Sequence, residues 1–343
     1  MREPFPVLTY LHIRVEGNGI APALPVEFLG GSAPRLRNIT LYGVPYLTIP
    51  TLLLSASDLV TLSLYSIPPT GYISPEAIVA CLAVLPRLKT FDIEFQPAPP
   101  RPDRIRPPPV TQIVLPSLTT FEFRGASEYL EDLVSRIEGP QLSWIWVDLF
   151  NQLVDIRASQ LSKFIDRSIG PVFKRAEVTF HSGKATFTMD PHTSHPHSIR
   201  PRADTIILCE GIDWQVSHLA QVLGQFKFSG ILSDVVHLKL EHELKKGRQL
   251  EGTDDIEWQH FFRQFSNVKT LHVSGKLAVH VALALEDIAG GMATEVLPSV
   301  ELIWLAGRRA KKFVAARRLS GHPVTMVPTK TEFNKRLESY IGK

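Results

Sequence analysis

The sequence predicts an α/β protein in which short parallel strands alternate with helices in a repeating order. Three observations support this prediction. A frame of apolar residues, L-x-x-φ-x-φ with φ apolar, recurs along the chain, and the segments between its copies follow the helical period. Successive frames are also regularly spaced, with steps from 23 residues (Leu36 to Leu59) to 33 residues (Val235 to Val268).

The frame is clearest in Leu118, Phe121 and Phe123, where apolar residues alternate with polar ones. Alternation of this kind predicts a strand with one face in the core. Looser copies occur in the second half of the chain, but eleven in all are recognisable. They begin, in order, at Leu8, Leu36, Leu59, Leu88, Leu118, Leu142, Phe173, Ala203, Val235, Val268 and Val300.

Several segments between the frames place apolar residues at i, i+3, i+4 and i+7, which predicts one-faced helices. These patterns begin at Ile78, Leu130 and Val216. The first helix has Ser74 in position to cap its N-terminus and Pro75 as its first residue. A further helix is predicted from 277 to 289, ending at a Gly-Gly turn.

One strand and one helix in each step of about 30 residues is typical of a leucine-rich-repeat solenoid. We therefore expect a single domain over 1–343, with about eleven irregular repeats, a curved parallel sheet on the concave face and helices on the convex face. The segments 96–109 and 189–202 are rich in proline and are expected to be exposed loops. The segment 329–343 is expected to be a C-terminal helical tail.

Composition narrows the classes of function. The 343 residues are 44% hydrophobic and 21% charged, with a net charge of +3, so the whole molecule does not attract nucleic acid or membrane by charge. Cys81 and Cys209 have no metal-like spacing, which suits a reducing compartment. With no secretory leader or membrane-spanning stretch in the sequence, we expect an intracellular protein, cytoplasmic or nuclear.

Six stretches, spread over most of the chain, are similar to those of a known family. They are "LPVEFLGGSAPRLRNITLYGVP" (24–45), "IPTLLLSASDLVTLSL" (49–64), "GYISPEAIVACLAVLPRLKTF" (71–91), "LPSLTTFEFRGASEYLEDLVSRI" (115–137), "LSKFIDRS" (161–168) and "FVAARRLSGHPVTM" (313–326). Through them the sequence closely resembles the F-box-like leucine-rich-repeat proteins of mushroom-forming fungi. The resemblance implies a substrate receptor of SCF-type ubiquitin ligases, in which an F-box docks the ligase adaptor and the repeats bind a target. Because the first frame begins by residue 8, we expect only the target-binding half here. The adaptor is a partner only if an F-box is missing from this gene model.

The solenoid also predicts a binding surface. Residues that alternate with the buried frame residues point away from the core, and neighbouring parallel strands lie about 4.8 Å apart. An exposed acidic and aromatic patch is therefore expected on the concave face, and its tryptophans suit a binding surface. It would bind a protein target that carries a basic segment. The predicted partner-binding residues are Asp92, Glu94, Glu122, Arg124, Trp144, Trp146, Asp148 and Glu177. The other interpretation of "WIWV" (144–147) is a strand buried on both sides.

Three further features have weaker interpretations. The basic segment 308–318, "RRAKKFVAARR", supports the alternative function, a nucleic-acid-associated protein, although its apolar spacing also fits the last repeat helix with solvated charges. Arg317 falls on the apolar stripe of that helix and does not fit it. His192, His195 and His197 could bind a metal or simply belong to a polar loop. The loop sequence "PAPPRP" could dock an SH3-like groove.

The sequence has no phosphate-binding loop, nucleophile elbow or HExxH motif, so neither an enzyme nor a cofactor is expected.

Overall fold

The computed structural model describes most of the chain, and the described residues form two compact units, Met1–Ile169 (unit 1) and Gly170–Lys343 (unit 2). Each unit is α/β, with helices packed on a sheet whose strands are mostly parallel. The described residues are 5–15, 24–25, 28–45, 49–97, 112–150, 157–170, 173–190, 202–208, 212–226, 230–243, 255–290 and 293–341.

Unit 1 alternates strands and helices, as the frames predict. Its strands are β1 (Tyr10–Arg14), β2 (Asn38–Tyr42), β3 (Thr61–Ile67), β4 (Thr90–Phe95), β5 (Ile113–Val114), β6 (Thr120–Gly125), β7 (Ile137–Glu138) and β8 (Trp144–Leu149). Its helices are α1 (Ile49–Ser55), α2 (Pro75–Leu82), α3 (Ser127–Ser135) and α4 (Ser159–Ser168).

The sheet of unit 1 has the order β1-β2-β3-β4-β6-β8, and all of its pairings are parallel. The frame residues of successive strands are register partners, as Phe91 is with Phe121 and Phe121 with Ile145. Their side chains are buried, and Leu118, Phe121 and Phe123 are fully inaccessible. The prediction that these three residues belong to the core is therefore confirmed.

Local signals position the helices of unit 1. Ser74 caps α2, because its side-chain oxygen accepts a hydrogen bond from the backbone N–H of Ala77. The helix α4 has no such residue, since its N-cap position is occupied by Ala158. Glu131, in α3, supplies the missing acceptor: its carboxylate accepts hydrogen bonds from the backbone N–H groups of Gln160 and Leu161. This contact joins two consecutive helices.

Unit 2 begins with three strands and then returns to alternation. Its strands are β9 (Arg175–His181), β10 (Lys184–Asp190), β11 (Arg202–Leu208), β12 (His237–Glu243), β13 (Thr270–Val273), β14 (Leu302–Leu305) and β15 (Thr325–Met326). Its helices are α5 (Ile212–Phe226), α6 (Asp255–Phe262), α7 (Leu277–Ile288), α8 (Lys311–Leu319) and α9 (Lys330–Ile341), the last within the predicted tail segment.

The sheet of unit 2 departs from the predicted all-parallel order. β9, β10 and β11 are antiparallel neighbours, while β12 pairs with β9 in parallel and is followed by β13, β14 and β15. The turn between β9 and β10 contains only Ser182 and Gly183, and Gly183 adopts a φ of +88°. Such a short turn cannot hold a helical crossover, so β10 runs antiparallel to both β9 and β11. The predicted all-parallel order is therefore wrong at β10, a strand that the frames did not predict.

Unit 2 carries helices on both faces of its sheet. Phe226 of α5 and Trp258 of α6 contact Phe187 and Phe180, which share the face of the buried frame residues. The helix α9 lies on the other face, where its Phe333 packs in one cluster with Leu302 and Trp304. The face predicted to be open is therefore covered at this end of the sheet.

Candidate functional site

The candidate site is the face of the unit 1 sheet opposite its helices. The ring of Phe121 contacts Phe164 of α4, with centroids 5.7 Å apart, so the residues beside Phe121 in the strand point the other way. On this free face the strand register aligns one row of side chains across β3, β4, β6 and β8. The row is Ser63, Asp92, Glu122 and Trp146. The predicted central column therefore forms across these four strands.

Asp92 is the buried acid of the row. Its Oδ2 accepts hydrogen bonds from the Ser63 hydroxyl at 2.6 Å and from the Tyr65 phenol at 3.0 Å. Its Oδ1 has no hydrogen-bond partner among the described residues. Burial raises the pKa of Asp92, although both hydrogen bonds act to lower it. The carboxylate is therefore held firmly through one oxygen and unsatisfied at the other.

Glu122 is the register partner of Asp92 on the next strand and is half-buried. Burial and the negative charge of Asp92 raise the pKa of Glu122, while a hydrogen bond with the side chain of Trp144 lowers it. Two carboxylates on adjacent strands repel each other when both are ionised. A cation placed between them would relieve that repulsion, so the pair is suited to binding a positive group.

The next row along the strands contains Glu94, Arg124 and Asp148. The guanidinium of Arg124 lies between the two acids, 3.4 Å from Oε1 of Glu94 and 3.3 Å from Oδ2 of Asp148. Its charge is thus directed at neighbours within the face. The predicted site residues of unit 1 place four carboxylates against this single guanidinium, which leaves the face acidic.

Aromatic side chains border the acids on both sides. Trp144 and Trp146 are half-buried on β8. On the other side, Tyr65 stacks on Tyr42 with centroids 4.7 Å apart. Sequence reasoning missed these two tyrosines, although their alternation with Leu64 and Leu41 gave the same signal that identified Glu94.

The predicted exposure of this patch is wrong for two of its acids. Asp92 is 5% exposed and Asp148 is 7% exposed. The cause is the parallel register, which sets side chains of adjacent strands side by side about 4.8 Å apart. Short carboxylates are therefore covered by longer neighbours such as Tyr65 and Arg124. The alternative in which "WIWV" is buried on both sides is also wrong, since both tryptophans remain partly exposed.

Glu177 does not occupy its predicted place beside β8. It lies on β9 in unit 2, and both edges of β9 are taken by β10 and β12. Its carboxylate instead pairs with Arg175 and with Lys239 of β12, each at 2.9 Å. The prediction that Glu177 continues the acidic row is wrong, because the hairpin interrupts the series of repeats.

The basic segment 308–318 contains one buried charge and several exposed ones. Arg317 of α8 is 2% exposed and donates hydrogen bonds to the backbone carbonyls of Ala293, Pro298 and Val300. Burial lowers the pKa of Arg317. This explains why an arginine lies on the apolar stripe of the helix. The exposed basic residues are Arg308, Arg309, Lys311, Lys312 and Arg318.

Several predicted features lie wholly or largely outside the described residues. They are His192, His195 and His197, and almost all of the proline-rich segments 96–109 and 189–202. The ends of the second segment belong to strands: Met189 and Asp190 to β10, and Arg202 to β11. Across the described ranges, no group of three or more His, Cys, Asp or Glu side chains could hold a metal ion. No helix in the same ranges is long and apolar enough to cross a membrane.

Comparisons with known proteins add little to this description. No protein-family model matches the chain, and no curated protein matches it. Among solved structures, the crystal structure of the TLR13–ssRNA13 complex is similar, with 14% sequence identity and a TM-score of 0.32. The match covers 85% of this chain and 35% of the other, so this chain spans about a third of that protein's length. At such a TM-score the likeness supports no conclusion about function.

Proposed function

We propose that the chain is a non-enzymatic leucine-rich-repeat module that binds a basic segment of a partner protein on the free face of the unit 1 sheet. The observation that carries the proposal is the pair Asp92 and Glu122, which lie side by side in register with raised pKa values. The repeat assignment is supported by the frames, each of which supplies a strand in one of the two units.

The chemistry of the face favours a lysine or arginine side chain as the ligand. Glu122 is the more accessible of the two central acids, and the charge of the buried Asp92 beside it adds to the negative potential at this point of the face. Trp146 is the register partner of Glu122, so an aromatic surface lies beside the acid. Indole rings attract cations through their faces, and tryptophan is prominent among residues that dominate binding energy. Neighbouring acids would attract the segment and orient it.

The sequence resemblance suggests a biological setting for such binding. If the chain is the target-binding part of an SCF-type ubiquitin ligase receptor, the basic segment would belong to a protein marked for ubiquitylation. Docking to the ligase adaptor would then depend on an F-box encoded together with this repeat region.

The proposal can be tested by measuring the binding of a lysine-rich peptide and a glutamate-rich peptide of equal length by calorimetry. We expect the chain to bind only the lysine-rich peptide. Glu122→Gln should weaken that binding by about tenfold, or ~1.4 kcal/mol, because it removes one of two adjacent charges at nearly constant shape. Trp146→Ala should weaken it as well.

Two controls separate binding from folding. Glu128→Gln removes the same charge from an exposed position on α3 and should leave the affinity unchanged. Ile145→Ala truncates a buried residue and should cost about 2–5 kcal/mol of stability. Trp146→Ala should cost clearly less than that. Equal affinity for the two peptides, or equal effects of Glu122→Gln and Glu128→Gln, would contradict the proposal.

The basic segment 308–318 favours a second candidate, association with nucleic acid. Within the described part of the chain, the five exposed basic residues of this segment form no side-chain ion pair. This candidate predicts retention on single-stranded RNA or DNA that falls steeply as salt rises, and loss of retention in Arg308→Ser/Arg309→Ser. Weak retention that does not depend on salt would exclude it.

A further inference from the structure

The helix α9 and the strands β12, β13 and β14 form a contact distinct from the acidic face of unit 1. Phe333 of α9 is fully buried, and its ring centroid lies 5.3 Å from that of His272 and 6.1 Å from that of His237. Both histidines alternate with the buried frame residues of their strands, so they point to the face opposite α5 and α6. The helix α9 therefore lies on the face of β12, β13 and β14 that is opposite α5 and α6.

The contact is made by one side of an amphipathic helix. Phe333 is the buried anchor, and Leu337 and Tyr340 follow at i+4 and i+7 as half-buried residues that pack on the same cluster. Thr331, Asn334, Lys335 and Arg336 are exposed. Three anchors at this spacing are typical of a helix that binds in a groove on a partner protein. The helix α9 therefore packs on the sheet in the way that a bound peptide helix packs on a partner protein, although it belongs to the same chain.

The surface beneath α9 retains polar groups that a permanent core would not be expected to keep. His272 and Trp304 are 4% and 9% exposed, and their rings contact each other with centroids 4.6 Å apart. The Nε2 of His272 and the Nε1 of Trp304 have no hydrogen-bond partner among the described residues. Buried nitrogens without partners are unfavourable, and water or a partner's polar atoms would satisfy them when the helix leaves.

We propose that the face formed by β12, β13 and β14 is a binding surface for an amphipathic helix of a partner protein, and that α9 occupies it as a displaceable internal ligand. The partner helix carries an aromatic residue, a leucine four positions later and an aromatic residue three positions after that. It also offers an acceptor to the indole N–H of Trp304. Because α9 is tethered, it competes at high effective concentration, so the partner must bind more tightly than α9 does.

The proposal can be tested in the full chain with a fluorescent peptide of residues 328–341 as the probe. Phe333→Asp places a charge in the apolar contact and should release α9 from the surface. We expect the affinity of the peptide for this variant to be at least about tenfold higher than for the wild type, because the tethered competitor has been removed. A peptide that itself carries Phe333→Asp should bind neither protein.

Asn334→Asp is the matched control, because it adds the same charge at the adjacent, exposed position of α9. This variant should behave like the wild type in the peptide assay. If a folded Phe333→Asp protein binds the peptide no better than Asn334→Asp does, the surface does not accept a helix in trans and the proposal fails.

Hydrogen exchange of the wild-type chain gives a test that does not depend on the variant folding. A displaceable helix opens locally, so amides of α9 should exchange while those of β13 and β14 remain protected. Exchange of α9 together with both strands would show that the helix is a fixed part of unit 2, and would overturn the proposal.

Discussion

The carboxylate of Glu131 caps α4 from the preceding helix, with its Oε2 2.8 Å from the backbone nitrogen of Gln160. Because Ala158 offers no side-chain cap, removing this carboxylate leaves buried N–H groups at the start of α4 without acceptors. We expect Glu131→Ala to lower the free energy of unfolding by about 1–3 kcal/mol. Denaturant titration would measure the loss. Glu128→Ala, on the exposed side of α3, should cost less than about 1 kcal/mol, and equal losses would contradict the capping role.

The adjacent acids Asp92 and Glu122 predict how binding of a basic segment depends on pH. Their pKa values are raised from ordinary values of 3.8 and 4.5, so each acid takes up its proton at a higher pH than usual. A bound cation favours the ionised forms, and affinity should therefore decline as pH falls toward and through these raised values. Calorimetry of the lysine-rich peptide between about pH 7 and about pH 4 would measure this slope.

The same two acids should make the stability of the fold depend on pH in the opposite direction to the affinity for the basic segment. A carboxyl whose pKa is higher in the folded state stabilises the fold when protonated, and this contribution is lost as pH rises through the folded pKa. Their contribution to the stability of the free protein therefore increases on mild acidification while affinity for the basic segment falls. Glu122→Gln should flatten both slopes. An affinity independent of pH in the unsubstituted chain would contradict the role given to this pair.

The docking of α9 should weaken in acid because of His272. Burial, together with the charges of Lys330, Lys239 and Arg175, lowers the pKa of His272 from 6.5 to about 4, and Glu177 opposes this only in part. If α9 leaves, the imidazole meets water and its pKa returns toward the ordinary value. The docked state then binds fewer protons, so its stability should fall by up to about 3 kcal/mol as pH drops from about 6.5 to about 4, and level off below that.

Hydrogen exchange of α9 amides, corrected for the intrinsic effect of pH on exchange, would measure this change. His272→Gln should remove most of the pH dependence, because the titrating group is gone. His322→Gln, at an exposed position after α8, should leave it intact. If His272→Gln and the wild type show the same dependence on pH, another group is responsible.

The adjacent residues Arg317 and Arg318 should contribute very differently to the free energy of unfolding. Arg317→Ala removes the donors to the carbonyls of Ala293, Pro298 and Val300 and leaves a cavity, so it should lower the unfolding free energy by about 2–4 kcal/mol. Arg318 is exposed, and Arg318→Ala should change stability by less than about 0.5 kcal/mol. Thermal or denaturant melting would separate the two. A similar small effect for both would show that the carbonyl contacts contribute little.

The sequence was most informative where local pattern and burial coincide. The alternation in Leu118, Phe121 and Phe123 predicted both the strand β6 and its buried face, because period-two alternation constrains a strand directly. Ser74 and Pro75 likewise predicted where α2 begins, since capping depends on residues only a few positions apart. Strand positions and the central row of the acidic face could therefore be predicted.

The hairpin was missed even though its signal was present. In the segment "KATFTMD", Ala185, Phe187 and Met189 are buried and alternate with polar residues, and the short Ser182-Gly183 turn precedes it. The regular spacing of the frames suggested one strand per repeat, and this expectation overrode the local pattern. The misplacement of Glu177 followed directly from that choice.

The packing of α9 over His272 and Trp304 could not have been predicted from local sequence patterns. The sequence indicates that α9 is amphipathic, but it does not indicate which face of which sheet accepts Phe333. The acceptors of Arg317 are backbone carbonyls 17 to 24 residues away, and their position depends on the folded chain. Both features arise from tertiary packing rather than from sequence periodicity.

The pairing of β9 with β12 has a consequence for how unit 2 folds. The ion pair between Glu177 and Lys239 joins residues 62 positions apart, whereas the ion pair between Arg87 and Asp58 on neighbouring repeats of unit 1 spans 29. In a simple repeat array each new strand can add to the one just made, which keeps contact order low. In unit 2, β9 forms its parallel pairing with β12, a strand that lies much later in the sequence. The chain between these two strands must close into a long loop, and we expect this step to limit the rate at which unit 2 folds.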